Sequence, residues 1–260
     1  MFFPIHDRNP RRKKPVITIL LIASMVLVWL VVQGAGTGFP MARSVCDLGM
    51  IPGELTGRAI GEVIPLDQRY ACVVDPNPAW YTVLTSMFLH GGWLHLIGNL
   101  WFLWLFGDNV EDAFGHVGYA VFYVACGVVA AATQLAIHPA SPVPMVGASG
   151  AISGVMGAYV VLFPHVPVRV LVVLIIFLTT ITVPAVLMLG LWFLLQLISG
   201  LPQLAGATEA GVAFWAHVGG FVAGAVVALA LRGRVRARRG PPPRPRGFSI
   251  SPPTRRLHGW

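Results

Sequence analysis

The chain has 260 residues, of which 56% are hydrophobic and 11% charged, and its formal net charge is +8. A soluble domain of this size cannot bury so much apolar surface, so the composition excludes a soluble globular fold and predicts a polytopic membrane protein. Five of the 18 basic residues lie before residue 15 and nine lie after residue 231. Basic tails beside apolar spans are typical of cytoplasmic termini. No recognition motif accompanies this charge, so nucleic-acid binding is not expected.

The first half of the chain predicts a basic tail, one span, a long loop and a second span. Residues 1–15 form the tail, and the uncharged run 16–32 is about long enough to cross a bilayer as a retained helix. Residues 34–90 are rich in Gly, Pro and charged residues, which predicts a sizeable extracytoplasmic loop. The second span is predicted over 92–106, and it ends at the polar run 107–112.

The second half predicts four more spans and a second basic tail. Residues 168–200 are too long for one span, so 168–182 are interpreted as an interfacial or partly inserted lead-in. The Arg/Pro-rich tail over 233–260 is expected to be disordered. The predicted fold class is an all-α, six-transmembrane-helix bundle over residues 16–232, and its last four spans are 118–137, 145–163, 185–200 and 212–231.

Six spans place both basic tails on one side, which the charge pattern assigns to the cytoplasm. The second, fourth and sixth spans then run inward from the outer face, and each begins near a polar residue: His95, Ser149 and His217. Each of these residues lies within about the first turn of its helix, roughly 5 Å below the outer end. Three polar groups at matched depth predict a single water-accessible pocket.

Ser149 and His217 form the predicted catalytic pair of this pocket. A serine hydroxyl needs a base to take its proton, and histidine is the usual partner near neutral pH. No acidic residue lies in or near the membrane part of either span, so a Ser–His dyad is expected without an orienting carboxylate. Small residues every four positions let two membrane helices approach closely. They are Ser149, Ser153 and Gly157, together with Gly150 and Gly154, on the fourth span, and Gly220 and Gly224 on the sixth.

The same pocket has donors for an oxyanion. The start of the fourth span offers free backbone N–H groups, including that of Ser149. His95 and Asn99 lie four residues apart, so both side chains are on one face of the second span. The residues therefore predict a complete hydrolytic set with no cofactor. A metal site is not expected, because no Cys or carboxylate completes a ligand set within the spans.

Simpler interpretations exist for each residue taken alone. A serine in a glycine-rich membrane helix is most often a packing residue. The histidines at span ends, which are His90, His116, His138 and His165, are explained by interfacial solvation. The segment 147–151 also differs from the G-x-S-x-G nucleophile elbow of soluble hydrolases.

Taken together, these motifs resemble the rhomboid intramembrane serine proteases over about residues 77–231. The resemblance implies a six-helix fold that cleaves transmembrane segments of other proteins near the outer face. It implies that Ser149 is the nucleophile, that His217 is the general base, and that His95, Asn99 and the Ser149 N–H hold the oxyanion. Gly107 and Glu111 match scaffold positions. The matching motifs are Gly147-Ala148-Ser149-Gly150, Ala216-His217-Val218-Gly219-Gly220, His95-x-x-x-Asn99 and Gly107-x-x-Val110-Glu111.

The chain departs from the family pattern at two places. Many relatives have a Trp-Arg pair before the second span, whereas this chain has Trp80-Tyr81-Thr82, so the loop is expected to be anchored differently. Some relatives place an aromatic residue four positions after the nucleophile, stacked on the base. Ser153 stands there in this chain, so another residue must hold His217, and Phe214 or Trp215 is expected.

The cysteines leave two alternatives open. Cys46 and Cys72 both lie in the predicted outer loop, where a disulfide would stabilise the fold by roughly 3 kcal/mol in an oxidising compartment. Two unpaired thiols are equally compatible with the sequence. Cys126 lies inside the third span.

Two other function classes compete with a protease. A catalytically silent protein that binds transmembrane helices would share the fold. A transporter or channel would need charged residues within the spans or inverted repeats, and neither is visible. The protease reading predicts a multi-pass plasma-membrane protein of bacterial type with cytoplasmic termini. Its predicted partners are transmembrane substrates and the lipid bilayer.

Overall fold

The computed structural model describes residues 2–174, 177–204 and 212–239. Within these residues the fold is a helical bundle with a small sheet at one end and a folded loop at the other. The long helices are α1 (Val16–Leu27), which continues as a π-helical turn (Val28–Val32), α5 (Trp93–Phe114), α6 (His116–Ile137), α7 (Ser149–Leu162), α8 (Ala185–Leu204) and α9 (Phe214–Arg239). The shorter elements are β1 (Phe2–Asp7), α2 (Gly38–Leu48), α3 (Pro52–Leu55), β2 (Val63–Pro65), β3 (Ala71–Val73), α4 (Thr82–Thr85), β4 (Pro167–Leu174) and β5 (Phe177–Pro184).

The predicted all-α membrane bundle is confirmed. By length and composition, α6, α8 and residues Phe214–Val235 of α9 are sufficient to cross a membrane, and Val16–Val32 and Ser149–Leu162 are shorter apolar helices. Many apolar side chains on α8 point away from the protein; Leu187 is 63% exposed and Leu201 is 56% exposed. An apolar outer surface of this kind is what lipid solvates.

Helix α7 occupies the centre of the bundle. Every residue from Gly150 to Tyr159 is buried, and α5, α6, α8 and α9 all pack against the helix. Glycine and alanine leave room for these neighbours, so the helix whose first residue is Ser149 is held on all sides. A site at its N-terminus is therefore rigidly placed.

Helix α1 is fixed to α5 by a buried carboxylate. Glu111 is 1% exposed, and its oxygens accept hydrogen bonds from the backbone N–H groups of Ile17 (2.9 Å) and Thr18 (2.8 Å). They also accept the Thr18 hydroxyl at 2.7 Å and contact His116 Nδ1 at 2.6 Å. The carboxylate thus satisfies N–H groups that have no partner within α1. A Cβ at Gly107 would lie 2.8 Å from the Tyr119 hydroxyl, so glycine lets α6 approach α5.

A three-stranded antiparallel sheet corrects two expectations. Residues 168–174 and 177–182, interpreted as an interfacial or partly inserted lead-in, lie in the antiparallel strands β4 and β5, which an all-α fold does not include. The predicted tail over 1–15 contains β1, which pairs with β4 from Phe2↔Val172 to Asp7↔Val168. Residues Val168, Val170 and Val172 are buried, and this alternation gives the hairpin one packed face.

Three helix boundaries also differ from expectation. Helix α5 extends to Phe114, so the polar run 107–112 belongs to its last turns and does not end it. Helix α7 begins at Ser149, four residues later than predicted. Helix α9 continues to Arg239, into the predicted disordered tail, and residues 240–260 lie outside the described residues.

The loop over residues 34–90 is folded against the start of α7. Met50 pairs with Met145, and the Gly53 N–H donates to Ser141 O at 2.8 Å. Glu54 accepts the Ala79 N–H at 3.2 Å, a contact that fixes the segment before Trp80 where the family arginine is missing. Cys46 and Cys72 form a disulfide that joins α2 to β3.

Candidate active site

Ser149 is the first residue of α7, and a close approach of the chain places it there. Gly147 has φ +128°, which favours glycine, and a Cβ at this position would lie 2.7 Å from His95 Nε2. The Gly147 N–H donates to Ser86 O at 2.9 Å. Glycine therefore permits the turn into α7 and leaves space for a histidine ring beside it.

Glycines bring α9 against α7 and carry His217 to the serine. A Cβ at Gly220 would overlap the carbonyl oxygen of Gly150, and a Cβ at Gly224 would overlap that of Gly154. The two backbones are thus in direct contact over two turns. His217 lies in the first turn of α9, next to the first residue of α7.

Ser149 and His217 meet within hydrogen-bonding distance. The Ser149 Oγ lies 2.7 Å from His217 Nε2. The other ring nitrogen, Nδ1, lies 2.7 Å from Gln196 Oε1 on α8. An amide oxygen only accepts hydrogen bonds, so Nδ1 carries the proton and Nε2 has the free lone pair. In this tautomer Nε2 accepts the serine hydroxyl, which is the arrangement that a general base requires.

His95 has the opposite tautomer. The Gly91 N–H donates to His95 Nδ1 at 3.2 Å, so Nδ1 is the acceptor and Nε2 carries the proton. The position that a Cβ on Gly147 would occupy is 2.7 Å from this Nε2. His95 therefore presents an N–H donor beside the first turn of α7.

Asn99 lies one turn further along α5 and is 6% exposed. Its Nδ2 is buried and, among the described residues, has no hydrogen-bond partner. Leaving a buried amide donor unpaired costs about 1–3 kcal/mol. This donor lies on the same helical face as His95.

His90 does not match its predicted role. It was expected to be solvated at a span end, but it is fully buried, and its ring packs edge-on against His95 with centroids 5.3 Å apart. Burial, with a smaller effect of His95, lowers the pKa of His90 to about 3. Gln33 fixes the His90 backbone, accepting its N–H at 2.8 Å and donating to its carbonyl at 2.9 Å. His90 is thus a neutral packing partner for His95.

The two aromatic residues expected to hold His217, Phe214 and Trp215, do not pack on its ring among the described contacts. The Trp215 Nε1 donates to Gly200 O at 3.0 Å, and no ring contact joins Phe214 to His217 among the described residues. The ring that packs on His217 belongs to Trp192, at a centroid distance of 6.0 Å and an interplanar angle of 38°. Sequence reasoning missed Trp192, Gln196 and Gln33. Trp192 and Gln196 are four apart on α8, but nothing in the sequence fixes which face of α8 meets α9.

A cavity of about 1400 Å³ opens beside His95, Ser149 and His217, whereas Asn99, Trp192 and Gln196 do not line it. Its lining includes the side chains of His95, Ser149 and His217, and its wall includes the folded segment 138–147. The cavity has room for several residues of an extended peptide beside Ser149. Within the described ranges, no three His, Cys, Asp or Glu side chains are grouped as a metal site requires.

A family model described as Rhomboid domain matches residues 77–234, which is more than half of the chain. The chain belongs to the rhomboid family. The family predicted from the sequence motifs is therefore confirmed, and the chain is a membrane-embedded rhomboid protein.

Several rhomboid relatives are similar over part of the chain. Rhomboid-like protein 11, chloroplastic, of Arabidopsis thaliana is 43% identical over 77 residues, which is 30% of this chain and 27% of that protein. Rhomboid protease GluP of Bacillus subtilis (strain 168) is 30% identical over 145 residues, 56% of this chain and 24% of that protein. Putative rhomboid protease YdcA of the same organism is 32% identical over 83 residues, 32% of this chain and 41% of that protein. The matches span less than half the length of each of these relatives.

Proposed function

We propose that this rhomboid is an intramembrane serine endopeptidase that cleaves transmembrane segments of other membrane proteins near its outer face. One observation carries the proposal: Ser149 Oγ lies 2.7 Å from the unprotonated His217 Nε2, at the wall of a large cavity. Two relatives whose names include the word protease support the same class of activity. The catalytic pair is Ser149 as nucleophile and His217 as general base.

The first half of the reaction forms an acyl-enzyme. Ser149 Oγ attacks the carbonyl carbon of the scissile peptide bond while its proton moves to His217 Nε2. The carbonyl double bond opens to give a tetrahedral oxyanion. His217 then gives the same proton to the amide nitrogen, the C–N bond breaks, and the new amine leaves.

Donors at the start of α7 and on α5 stabilise the oxyanion. The Ser149 N–H has no partner within its helix because it belongs to the first turn. His95 Nε2–H and Asn99 Nδ2 provide two more donors, and Asn99 Nδ2 is unpaired among the described residues. Preorganised donors of this kind lower the barrier because they need no reorientation when charge develops.

The second half of the reaction uses water that enters through the cavity. His217 Nε2 takes a proton from the water, whose oxygen attacks the acyl carbon. A second oxyanion forms and then collapses to restore the C=O bond. The bond between the acyl carbon and Ser149 Oγ breaks as His217 returns the proton to Oγ, and the carboxylic acid product leaves. Water must reach a site within membrane helices, and the opening of the cavity beside the folded loop provides the route.

The geometry also favours one class of substrate. In an intact helix each peptide carbonyl is hydrogen-bonded and shielded by its own turn, so Ser149 requires a locally unwound segment. Small or helix-breaking residues near the outer end of a transmembrane helix allow this unwinding. The basic residues at both termini favour a cytoplasmic location for them in the plasma membrane, so the Ser149 end of the bundle faces outward.

The test is proteolysis by the purified protein in liposomes. The substrates are single transmembrane helices with small or helix-breaking residues near the outer end and a fluorophore that reports cleavage. Wild type is compared with Ser149→Ala and His217→Ala. Matched controls are Ser24→Ala, which also removes a serine from a membrane helix, and His165→Ala, which removes an exposed histidine.

We expect cleavage by the wild type and both controls, and loss of at least about 100-fold in kcat for Ser149→Ala and His217→Ala. A fluorophosphonate should label wild type at Ser149 and leave Ser149→Ala unlabelled. Cleavage that persists in Ser149→Ala would refute the assigned nucleophile. A wild type that is folded, unlabelled and inert toward the whole panel of helices would favour a rhomboid that binds transmembrane helices without cutting them.

A further inference from the structure

Two side chains on α8 hold the imidazole of His217. Gln196 Oε1 lies 2.7 Å from Nδ1, and the Trp192 ring packs on the imidazole with centroids 6.0 Å apart. These residues are four apart, so they share one face of α8. That face points at the first turn of α9, and the other face of α8 exposes leucines such as Leu195.

Within the described helices α8 and α9, no carboxylate stands in the place of the glutamine. Neither α8 nor α9 contains an Asp or Glu, and Ser153 donates its hydroxyl to Ser149 O at 2.6 Å, away from the histidine. In soluble serine hydrolases the third residue fixes the tautomer of the base and stabilises the imidazolium that forms. An amide oxygen can fix the tautomer as well as a carboxylate does. Its dipole stabilises the imidazolium, and no charge has to be buried in the membrane.

We propose that Gln196 is a positioning residue of the catalytic site, and that Trp192 restrains the ring plane of the same histidine. The chain of hydrogen bonds is Ser149 Oγ–H to His217 Nε2 and His217 Nδ1–H to Gln196 Oε1. The proposal rests on the proposed protease function, because it assigns the residue that orients the general base. It replaces the expectation that Phe214 or Trp215 holds the ring.

Gln196 takes no proton during the reaction. When Ser149 Oγ bonds to the carbonyl carbon, its proton moves to Nε2 and the ring becomes an imidazolium. The Nδ1 proton stays on Nδ1, and its bond to the amide dipole strengthens because the donor is now charged. Removing the acceptor therefore frees the ring to adopt the other tautomer, in which Nε2 carries a proton and cannot accept the serine hydroxyl.

The first test measures the tautomer of His217 directly. The protein is labelled with ¹⁵N-histidine in liposomes, and the His217 ring signals are identified by their absence from His217→Asn. Gln196→Met removes the acceptor at similar side-chain length, and Gln196→Asn withdraws the amide by one methylene. Gln196→Glu keeps an acceptor at the same position. Leu195→Met, on the lipid side of α8, is the matched control.

The second test measures kcat and KM for the same proteins. We expect wild type, Gln196→Glu and Leu195→Met to keep the proton on Nδ1. Gln196→Met and Gln196→Asn should show both tautomers, with kcat lowered roughly tenfold or more and KM changed by less than about twofold. A higher KM with an unchanged kcat is not expected, because Gln196 acts on the general base and does not contact the substrate.

Three results would overturn the proposal. The first is a ¹⁵N signal which shows that His217 of the wild type carries its proton on Nε2. The second is an unchanged Nδ1–H tautomer in both Gln196→Met and Gln196→Asn. The third is a kcat of Gln196→Met and of Gln196→Asn that equals the kcat of the wild type. The tautomer is read without turnover, so an inert wild type would refute the protease function while the nitrogen signals still decide the role of Gln196.

Discussion

At the scale of single residues, the site depends on two histidines that are held in opposite tautomers. A backbone N–H fixes His95 with its proton on Nε2, and an amide oxygen fixes His217 with its proton on Nδ1. One ring therefore offers a donor and the other a lone pair, although both are imidazoles a few residues into membrane helices. Their neighbours determine the chemistry that each can perform.

The variant Asn99→Ala tests whether Asn99 stabilises the oxyanion. Because its Nδ2 is buried and unpaired among the described residues, it is free to bind charge that develops only in the transition state. We expect Asn99→Ala to lower kcat about 100- to 1000-fold with little change in KM, since one preorganised donor is worth roughly 2.7–4 kcal/mol. Asn77→Ala, in the exposed loop, is the control. A raised KM with an unchanged kcat would instead assign Asn99 to substrate binding.

Asp7 makes the N-terminal strand sensitive to pH. Burial raises the pKa of the Asp7 carboxyl, and Asp108 adds to this, although the Tyr159 hydroxyl that it accepts at 2.5 Å opposes the shift. A carboxyl whose pKa is higher in the folded state stabilises the fold while it is protonated. That stability is fully present below about pH 4 and is lost as the pH rises through the raised value.

Asp7→Asn removes this dependence, because the amide oxygen still accepts the Tyr159 hydroxyl and never ionises. We expect the Tm of the variant relative to wild type to increase between pH 4 and pH 7 in detergent. Parallel Tm curves across this range would mean that Asp7 does not govern the docking of β1.

At the scale of elements, the contact of α7 with α9 determines whether a site exists. Gly220 and Gly224 leave no space for a Cβ against the α7 carbonyls. The four-residue spacing of these glycines predicts a close helix pair from sequence alone. The sequence does not state how far the helices slide along each other, and that offset sets the 2.7 Å between Ser149 and His217.

Comparing Gly224→Ala with Gly233→Ala distinguishes the effect of the α7–α9 contact from the effect of helix propensity. The added methyl must move α9 away from Gly154, so we expect a loss of about 2 kcal/mol or more of stability and a loss of activity. Gly233→Ala is a matched control on the same helix, because a Cβ there meets nothing within 4 Å. That control should keep activity and gain up to about 1 kcal/mol. Equal effects of the two substitutions on Tm would exclude a specific role for the α7–α9 contact.

The strands show where sequence reasoning was wrong for a physical reason. Buried Val168, Val170 and Val172 alternate with Arg169 and Leu171, but this period is hidden in a run that is apolar apart from Arg169. The partner strand, Phe2–Asp7, lies about 160 residues away in a segment whose charge is typical of a tail. Non-local pairing of this kind has no local signature, so the sheet was missed.

At the scale of the whole molecule, the apolar runs predicted the membrane helices, and the structure brings Ser149 and His217 together at the ends of two of them. The same reasoning could not find Gln196, because the orientation of α8 depends on the hairpin before it, which was itself misassigned. It could not find the buried state of His90 either, since that depends on Gln33 in a distant segment. Side chains on consecutive or strongly patterned helices were predictable, and those positioned by long-range packing were not.

The folded loop over residues 34–90 contacts the segment before Ser149, and its disulfide makes the contribution of the loop to stability testable. The Cys46–Cys72 bond ties α2 to β3, and the loop in turn pairs Met50 with Met145, four residues before Ser149. Loop closure over 26 residues predicts a stabilisation of about 3 kcal/mol. We expect Cys46→Ser to lower the Tm and to abolish the mobility shift between reduced and non-reduced gels.

The double variant Cys46→Ser/Cys72→Ser separates the bond from its two thiols. If the bond carries the stability, the single and double variants should have the same Tm, and reductant should bring wild type to that value while leaving the variants unchanged. In intact cells, a membrane-impermeant maleimide should label Cys46 in a Cys72→Ser variant, because Cys46 is partly exposed and the loop is proposed to face the oxidising side. Labelling only after the membrane is permeabilised would reverse the proposed orientation of the bundle and place Ser149 at the cytoplasmic face.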